Sequence, residues 1–241
     1  KRDIIAEVKF PPRKVDMKKR IFYSEAAYFA GLIVLALGTS LIERASFGMS
    51  MVVAPAYLLH LKISPYLPFF TFGVAAYAFQ ALLLLLLAVF LRKVKKSYFL
   101  SFATAFLYGL ILDAVMILVA FLPDFGMAGR IALFSVGIVT SAVGIAFMFH
   151  TYFPTEAYEL IVKEIAQKFN ISIGKTKTAY DICSCTLAVI LSLCFFGGFH
   201  GIHVGTLVCA ALNGFLIGQV SRFLDKKFTF KDALPLREKM N

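Results

Sequence analysis

Ala81–Leu91 reads ALLLLLLAVFL, eleven residues with no polar side chain, and this stretch decides the fold. It belongs to a longer apolar run, Phe69–Leu91, in which a helix is long enough to cross the roughly 30 Å hydrocarbon core of a bilayer. Five further runs have a similar composition: Ala26–Leu41, Tyr98–Leu122, Ile131–Phe149, Thr178–Phe199 and Val204–Phe223. The sequence therefore predicts an all-α polytopic membrane protein with six transmembrane helices.

The overall composition supports a membrane location. Of the 241 residues, 60% are hydrophobic and only 16% are charged, whereas soluble globular chains are about 45–50% apolar and about 25% charged. This hydrophobicity excludes a disordered chain. The first 20 residues are hydrophilic, so we expect no cleavable signal peptide.

The lysine and arginine positions predict the orientation. With six spans, 22 of the 25 basic residues fall on the side that holds both termini, and the other side keeps Arg44, Lys62 and Arg130. Because basic loops stay in the cytoplasm, both termini are predicted to be cytoplasmic. This topology and the anionic lipid headgroups of the bilayer explain the net charge of +11. We therefore expect no nucleic-acid partner.

Two shorter segments are predicted not to span the membrane. Met49–Leu61 is interrupted by Pro55 and is expected to be either re-entrant or surface-lying. Pro154–Phe169 carries charged residues on one side of a helix and apolar residues on the other. That pattern is typical of an amphipathic helix at the membrane interface.

The two halves of the chain resemble each other. Gly38–Phe47 aligns with Gly144–Phe153 at an offset of 106. Ser101–Asp113 aligns with Thr206–Gly218 at an offset of 105. Each half then reads as a long helix, a short non-spanning segment and two long helices. Because three crossings is an odd number, the second half is predicted to be inverted in the membrane relative to the first.

Inverted repeats with paired short segments are typical of secondary transporters, which bind substrate between the repeats. We therefore expect a transporter of a small polar metabolite. Two alternatives stay open: a non-transporting regulator, sensor or scaffold that serves a protein partner through its basic tails, and an intramembrane enzyme. The predicted units are the N-terminal tail 1–24, repeat 1 over 25–122, repeat 2 over 130–224 and the C-terminal tail 225–241.

Four short motifs follow one another along the chain. They are FGMSM (Phe47–Met51), AYE (Ala157–Glu159) with Glu159 at its acidic position, IGKTKTAYD (Ile173–Asp181) and VGTLVCAALNG (Val204–Gly214). Their order and spacing resemble those of the bacterial YczE/YyaS/YitT-like integral membrane proteins, specifically the YczE branch, over about residues 22–228. The resemblance implies a multi-pass protein of the bacterial cell membrane. It implies no particular activity, because the function of that family is largely unknown.

Asp113 is the clearest candidate for chemistry inside the membrane, where an ionised group costs at least ~2.5–3.5 kcal/mol. It follows Gly109 by four residues, so the two lie on one face of a helix that another helix can approach. The carboxylate would carry a proton or bind a cationic group of the substrate. Alternatively, it would only lock two helices together.

The other candidates for substrate binding are polar side chains within or near the spans. They are Tyr77, Gln80, Tyr108, Glu159, Lys177, Asp181 and Asn213. Gln80 corresponds to Asp181 in the repeat, and Tyr108 corresponds to Asn213. Such pairing is what a polar site between the repeats requires, although contacts between helices require it equally.

Lys177 and Asp181 are four residues apart and can pair on one helix face. They would form a gating pair or substrate clamp that faces the amphipathic helix with Glu156 and Glu159, or else an interfacial salt bridge. We also expect protonation of Asp113 or Asp181 to contribute to coupling.

Five glycines are predicted to serve helix packing. They are Gly48, Gly109, Gly174, Gly214 and Gly218. The sequence contains no recognised catalytic motif, phosphate-binding loop or metal-ligand pattern. We therefore expect neither catalytic residues nor a metal or cofactor.

Overall fold

The computed structural model describes residues 20–154, 156–171 and 173–233, without the side chains of residues 163, 173–175, 177 and 178. These residues form eight helices and two short strands. The helices are α1 (Ser24–Ala45), α2 (Ala54–Ile63), α3 (Phe72–Leu91), α4 (Lys96–Ala120), α5 (Met127–Phe149), α6 (Ala157–Phe169), α7 (Ile173–Phe196) and α8 (Val204–Lys227). The strands are β1 (Arg20–Tyr23) and β2 (Phe228–Lys231).

Six helices, α1, α3, α4, α5, α7 and α8, are long and apolar enough to cross a bilayer. The prediction of an all-α, multi-pass membrane protein is therefore confirmed. The two short helices, α2 and α6, fall in the segments predicted not to span. Pro55 stands in the first turn of α2, where the fixed φ angle and missing N–H of proline are tolerated.

Helices at corresponding positions of the two halves make corresponding contacts. α1 packs along its counterpart α5, while α4 contacts α1 and α8 contacts α5. The short helix α2 packs on α3 and α7, and the short helix α6 packs on α7 and α3. Each short helix therefore packs on one helix of its own half and on the counterpart of that helix in the other half, which agrees with the predicted inverted repeat.

Four glycines set the distance between α1 and α5. A Cβ atom on Gly31 would lie 3.0 Å from the carbonyl oxygen of Gly144, and one on Gly38 would lie 2.8 Å from that of Gly137. An offset of 106 relates Gly31 to Gly137 and Gly38 to Gly144, so the two contacts are equivalent in the repeat. Small residues allow this close approach of two membrane helices, and the α1–α5 contact forms the centre of the fold.

The two ends of the described chain lie together at one face of the helices. β1 and β2 pair in parallel, and the Ser24 hydroxyl donates a hydrogen bond to Asp232 at 2.9 Å. The Tyr152 hydroxyl donates to Glu25, at the start of α1, at 2.8 Å. This strand pair was not predicted, because four-residue strands carry too short a pattern to recognise. Residues 1–19 of the predicted N-terminal tail and residues 234–241 of the predicted C-terminal tail lie outside the described residues.

Candidate functional site

A cavity of about 270 Å³ lies between the two halves of the molecule. Its wall is formed by residues of α1, α4, α5, α7 and α8, by Met49–Val53 directly before the short helix α2, and by the start of the short helix α6. Much of the wall is aliphatic. Its polar residues are Thr39, Ser50, Tyr108, Ser141, Glu156, Tyr158, Glu159, Asp181 and Asn213.

Three carboxylates give this wall a negative charge. Glu156 directly precedes α6 and Glu159 stands in its first turn, where the positive end of the helix dipole stabilises a carboxylate. Asp181 reaches the cavity from α7. The described wall contains no Lys, Arg or His side chain. Among the described residues, no three His, Cys, Asp or Glu side chains converge closely enough to hold a metal ion.

Three polar atoms of the wall are buried and have no hydrogen-bond partner in the described part of the chain. They are Ser141 Oγ, the Tyr158 hydroxyl and Asn213 Oδ1. Ser141 is only 5% exposed and Tyr158 only 3%. Because buried polar atoms are nearly always hydrogen-bonded, these groups indicate that the cavity holds a ligand or water.

Tyrosine side chains lie close to the Glu156 carboxylate. Glu156 interacts electrostatically with the hydroxyls of Tyr108 and Tyr158. The Tyr108 hydroxyl is already paired with Thr39 Oγ1 at 3.0 Å. Burial and the Glu156 charge together hold the pKa of Tyr158 well above its ordinary value. The Tyr158 hydroxyl therefore stays protonated and can donate a hydrogen bond.

Asp113 lies at a different place, beside the start of α3. Its carboxylate accepts a hydrogen bond from the Gly73 N–H at 2.7 Å and another from the Thr71 hydroxyl at 2.5 Å. Thr71 in turn accepts from the Val74 N–H at 3.2 Å. Both side chains therefore cap α3, whose positive N-terminal end stabilises the Asp113 charge. These are the contacts of a lock between α3 and α4.

Gln80 and Tyr77 also make contacts between helices. The buried Gln80 side chain accepts a hydrogen bond at 3.0 Å from the N–H of Ala157, the first residue of α6. Tyr77 packs against Gly109 on α4, and its ring centroid lies 5.3 Å from that of Phe106. The two side chains thus hold α3 against its neighbours.

A family model, the Family of unknown function (DUF6198), matches residues 22–222. This range runs from β1 into α8 and includes the whole cavity wall. The chain belongs to the DUF6198 family. No curated protein and no solved structure matches it.

The cavity of this DUF6198 protein brings together six of the residues singled out in the sequence. They are Tyr108, Glu156, Glu159, Asp181, Asn213 and Gly214. Sequence analysis missed Ser141 and Tyr158 as site residues, since a single hydroxyl in an apolar or amphipathic helix has no distinctive pattern. Ser141 lies one helical turn before Gly144, so the repeated α1–α5 glycines could have drawn attention to it.

The predicted packing glycines fall into three groups. Gly109 lies at a close helix contact, and Gly48 has a φ angle of +102°, which favours glycine. A Cβ atom on Gly214 or on Gly218 would have no neighbouring heavy atom of the described structure within 4 Å. Gly174 belongs to α7, but its surroundings and the side chain of Lys177 lie outside the part of the structure that is described.

Proposed function

We propose that this DUF6198 protein is a transporter that moves a small polar metabolite by alternating access and performs no chemical conversion. The cavity between the two halves is the observation that carries the proposal. Secondary transporters built from inverted repeats bind their substrates in this position. Some buried polar groups of the cavity wall, such as Ser141 and Tyr158, have no hydrogen-bond partner among the described residues. They supply the specific contacts that a polar substrate needs.

Rocking of one half against the other about the α1–α5 contact opens the cavity first to one face of the membrane and then to the other. The segment directly before α2 and the start of α6, which come from opposite halves, both border the cavity and move with their own halves. Of the two aspartates expected to contribute to coupling, Asp181 lines the cavity. We therefore assign the coupling role to Asp181.

In this proposal the protein lies in a bacterial cell membrane with both termini in the cytoplasm. The excess of Lys and Arg on the side of the termini supports the orientation. The motifs that resemble the YczE branch, including Phe47–Met51 and Val204–Gly214, support the bacterial location. The pairing of β1 with β2 supports an arrangement with both termini on one side, which an even number of spans requires.

Cys209 is a native probe for alternating access. It is a free, fully buried cysteine that lines the cavity. A variant that keeps Cys209 and carries alanine at positions 183, 185 and 194 is prepared in membrane vesicles of either orientation. A membrane-impermeant methanethiosulfonate is then added outside the vesicles. We expect labelling of Cys209 in both orientations, because the cavity opens to each face in turn.

The matched control also carries Cys209→Ala and reports background labelling. Labelling of Cys209 in one orientation alone, at every temperature and pH tested, would contradict alternating access. That result would favour the regulator alternative, in which the cavity binds a ligand from one side only.

A further inference from the structure

The charge of the cavity wall indicates which ligands it can bind. Glu156, Glu159 and Asp181 line the cavity, and the wall that the structure describes has no basic side chain. The starts of α2 and α6 together contribute about one positive charge, about half a charge from each helix N-terminus. The part of the wall that the structure describes is therefore negative and attracts a cation.

The arrangement of the carboxylates disfavours a bare metal ion. In the described part of the chain, no group of three carboxylate, imidazole or thiol side chains could hold one. Aliphatic and aromatic side chains, including Ile145, Met148 and Tyr108, share the wall with the acidic residues. Hydrocarbon fits against such side chains, and cations bind favourably over aromatic rings. The wall therefore suits a cation that carries an apolar body.

The unpartnered polar atoms independently indicate a ligand that donates hydrogen bonds. Asn213 Oδ1 can only accept a hydrogen bond, and Ser141 Oγ can accept as well as donate. Both atoms are buried without a partner among the described residues, and both residues line the cavity. An ammonium group offers up to three N–H donors, which matches these acceptors better than a carboxylate or phosphate would.

We propose that the cavity binds a small organic ammonium ion, that is, a protonated amine with an apolar body. This inference rests on the proposed function for the claim that the amine is transported. Binding itself requires only the cavity. Glu156 and Asp181 supply the counter-charge, Asn213 and Ser141 accept hydrogen bonds from the ammonium group, and the aliphatic wall holds the rest of the molecule.

Three compounds of nearly one shape and different charge test the proposal: benzylamine, which is protonated at pH 7, neutral benzyl alcohol, and benzoate. Their binding to the full chain in detergent is measured by calorimetry and by the ligand-dependent rise in melting temperature. We expect benzylamine to bind at least about tenfold more tightly than the other two. Equal binding of all three compounds, tighter binding of benzoate, or no binding of benzylamine would overturn the proposal.

Substitutions locate the binding site. Glu156→Gln and Asp181→Asn are each expected to weaken benzylamine binding at least about fivefold, because each removes one negative charge from the wall. Asp124→Asn is the matched control, since Asp124 pairs with Arg44 on the exposed surface. It should leave binding unchanged. Wall variants that bind benzylamine as tightly as the unsubstituted chain would reject this site.

A second measurement needs no substitution of a charged residue. The chain that keeps only Cys209 is treated with the cationic trimethylammonium-ethyl and the anionic sulfonato-ethyl methanethiosulfonate. The rate at which each reagent modifies Cys209 is divided by the rate at which the same reagent modifies a small free thiol. We expect the cationic reagent to be at least about fivefold faster. Equal relative rates would reject a negative cavity. If Cys209 is labelled from both sides without a preference for the cationic reagent, the proposal of a cationic ligand is rejected and transport is retained. If it is labelled from one side only but reacts faster with the cationic reagent, transport is rejected and the cationic ligand is retained.

Discussion

The helix pair α3–α4 and the helix pair α7–α8 are counterparts in the predicted repeat, but of these two described pairs only the first is tightly packed. A Cβ atom on Gly109 of α4 would lie 2.7 Å from the carbonyl oxygen of Gly73 on α3. Gly214, the counterpart of Gly109 on α8, has open space within 4 Å. In the apolar 18-residue segments of α3 and α4, 33% of the residues are buried, whereas 17% are buried in those of α7 and α8.

The two pairs also differ in one side chain. Asp113 on α4 binds the start of α3 through Gly73 and Thr71. The corresponding residue of α8 is Gly218, which has no side chain to form such a lock. The open side of α8 contributes Asn213 and Gly214 to the cavity. The comparison shows that one repeat can stabilise the fold through a closed pair while the other leaves room for a site.

The largest expected effect comes from adding a methyl group at the closed pair. Gly73→Ala should lower the free energy of unfolding by about 3 kcal/mol, because the new Cβ would press on the Gly109 carbonyl and the Asp113 carboxylate. Gly214→Ala, the control on the open pair, should change it by less than about 1 kcal/mol. Thermal unfolding in detergent measures both. Equal losses would show that the two pairs are packed alike.

Removal of the Asp113 side chain, which links α4 to the start of α3, should have the next largest effect. Asp113→Ala is expected to lower the free energy of unfolding by about 2 kcal/mol, because the Gly73 N–H and the Thr71 hydroxyl lose their acceptor. Asp113→Asn keeps an acceptor for Gly73 and should cost less than about 1 kcal/mol. If Asp113→Asn instead left stability unchanged and abolished two-sided labelling of Cys209, Asp113 would be a proton carrier rather than a lock.

The smallest expected effect concerns Gln80 and its repeat counterpart Asp181. Gln80→Leu should lower the free energy of unfolding by about 1 kcal/mol, since the Ala157 N–H at the start of α6 loses its acceptor. Gln80→Asn keeps an amide oxygen without adding a charge and is the conservative control. Neither change should weaken benzylamine binding as Asp181→Asn does. If Gln80→Leu left the melting temperature unchanged and weakened benzylamine binding, Gln80 would belong to the binding site, and its role would not differ from that of Asp181.

Much of the fold follows from local patterns in the sequence. Long apolar runs such as Ala81–Leu91 predicted the six spans, and Pro55 together with the charges of Pro154–Phe169 marked the two segments that do not cross. These predictions succeed because a helix in a bilayer satisfies its own backbone hydrogen bonds, so length and composition suffice. The strand pair β1–β2 escaped prediction because its stability depends on two segments about two hundred residues apart.

The candidate site followed from the sequence only in part. Asp113 and Asp181 look alike there, each a single carboxylate in an apolar helix, and neither pattern reveals what the side chain faces. In the structure, Asp113 caps α3 and Asp181 lines the cavity. Tyr158 and Ser141 also line the cavity, but no local sequence pattern distinguishes their positions.

The sequence by itself determined the number of spans, the two short helices and the predicted orientation, because burial of apolar side chains in lipid and retention of basic loops are local properties. Only the tertiary structure decided which polar groups form a site. That choice depends on how far each helix is rotated and how closely it approaches its neighbours. The distances are set by contacts between residues remote in the chain, such as Gly38 with Gly137 and Gly73 with Gly109.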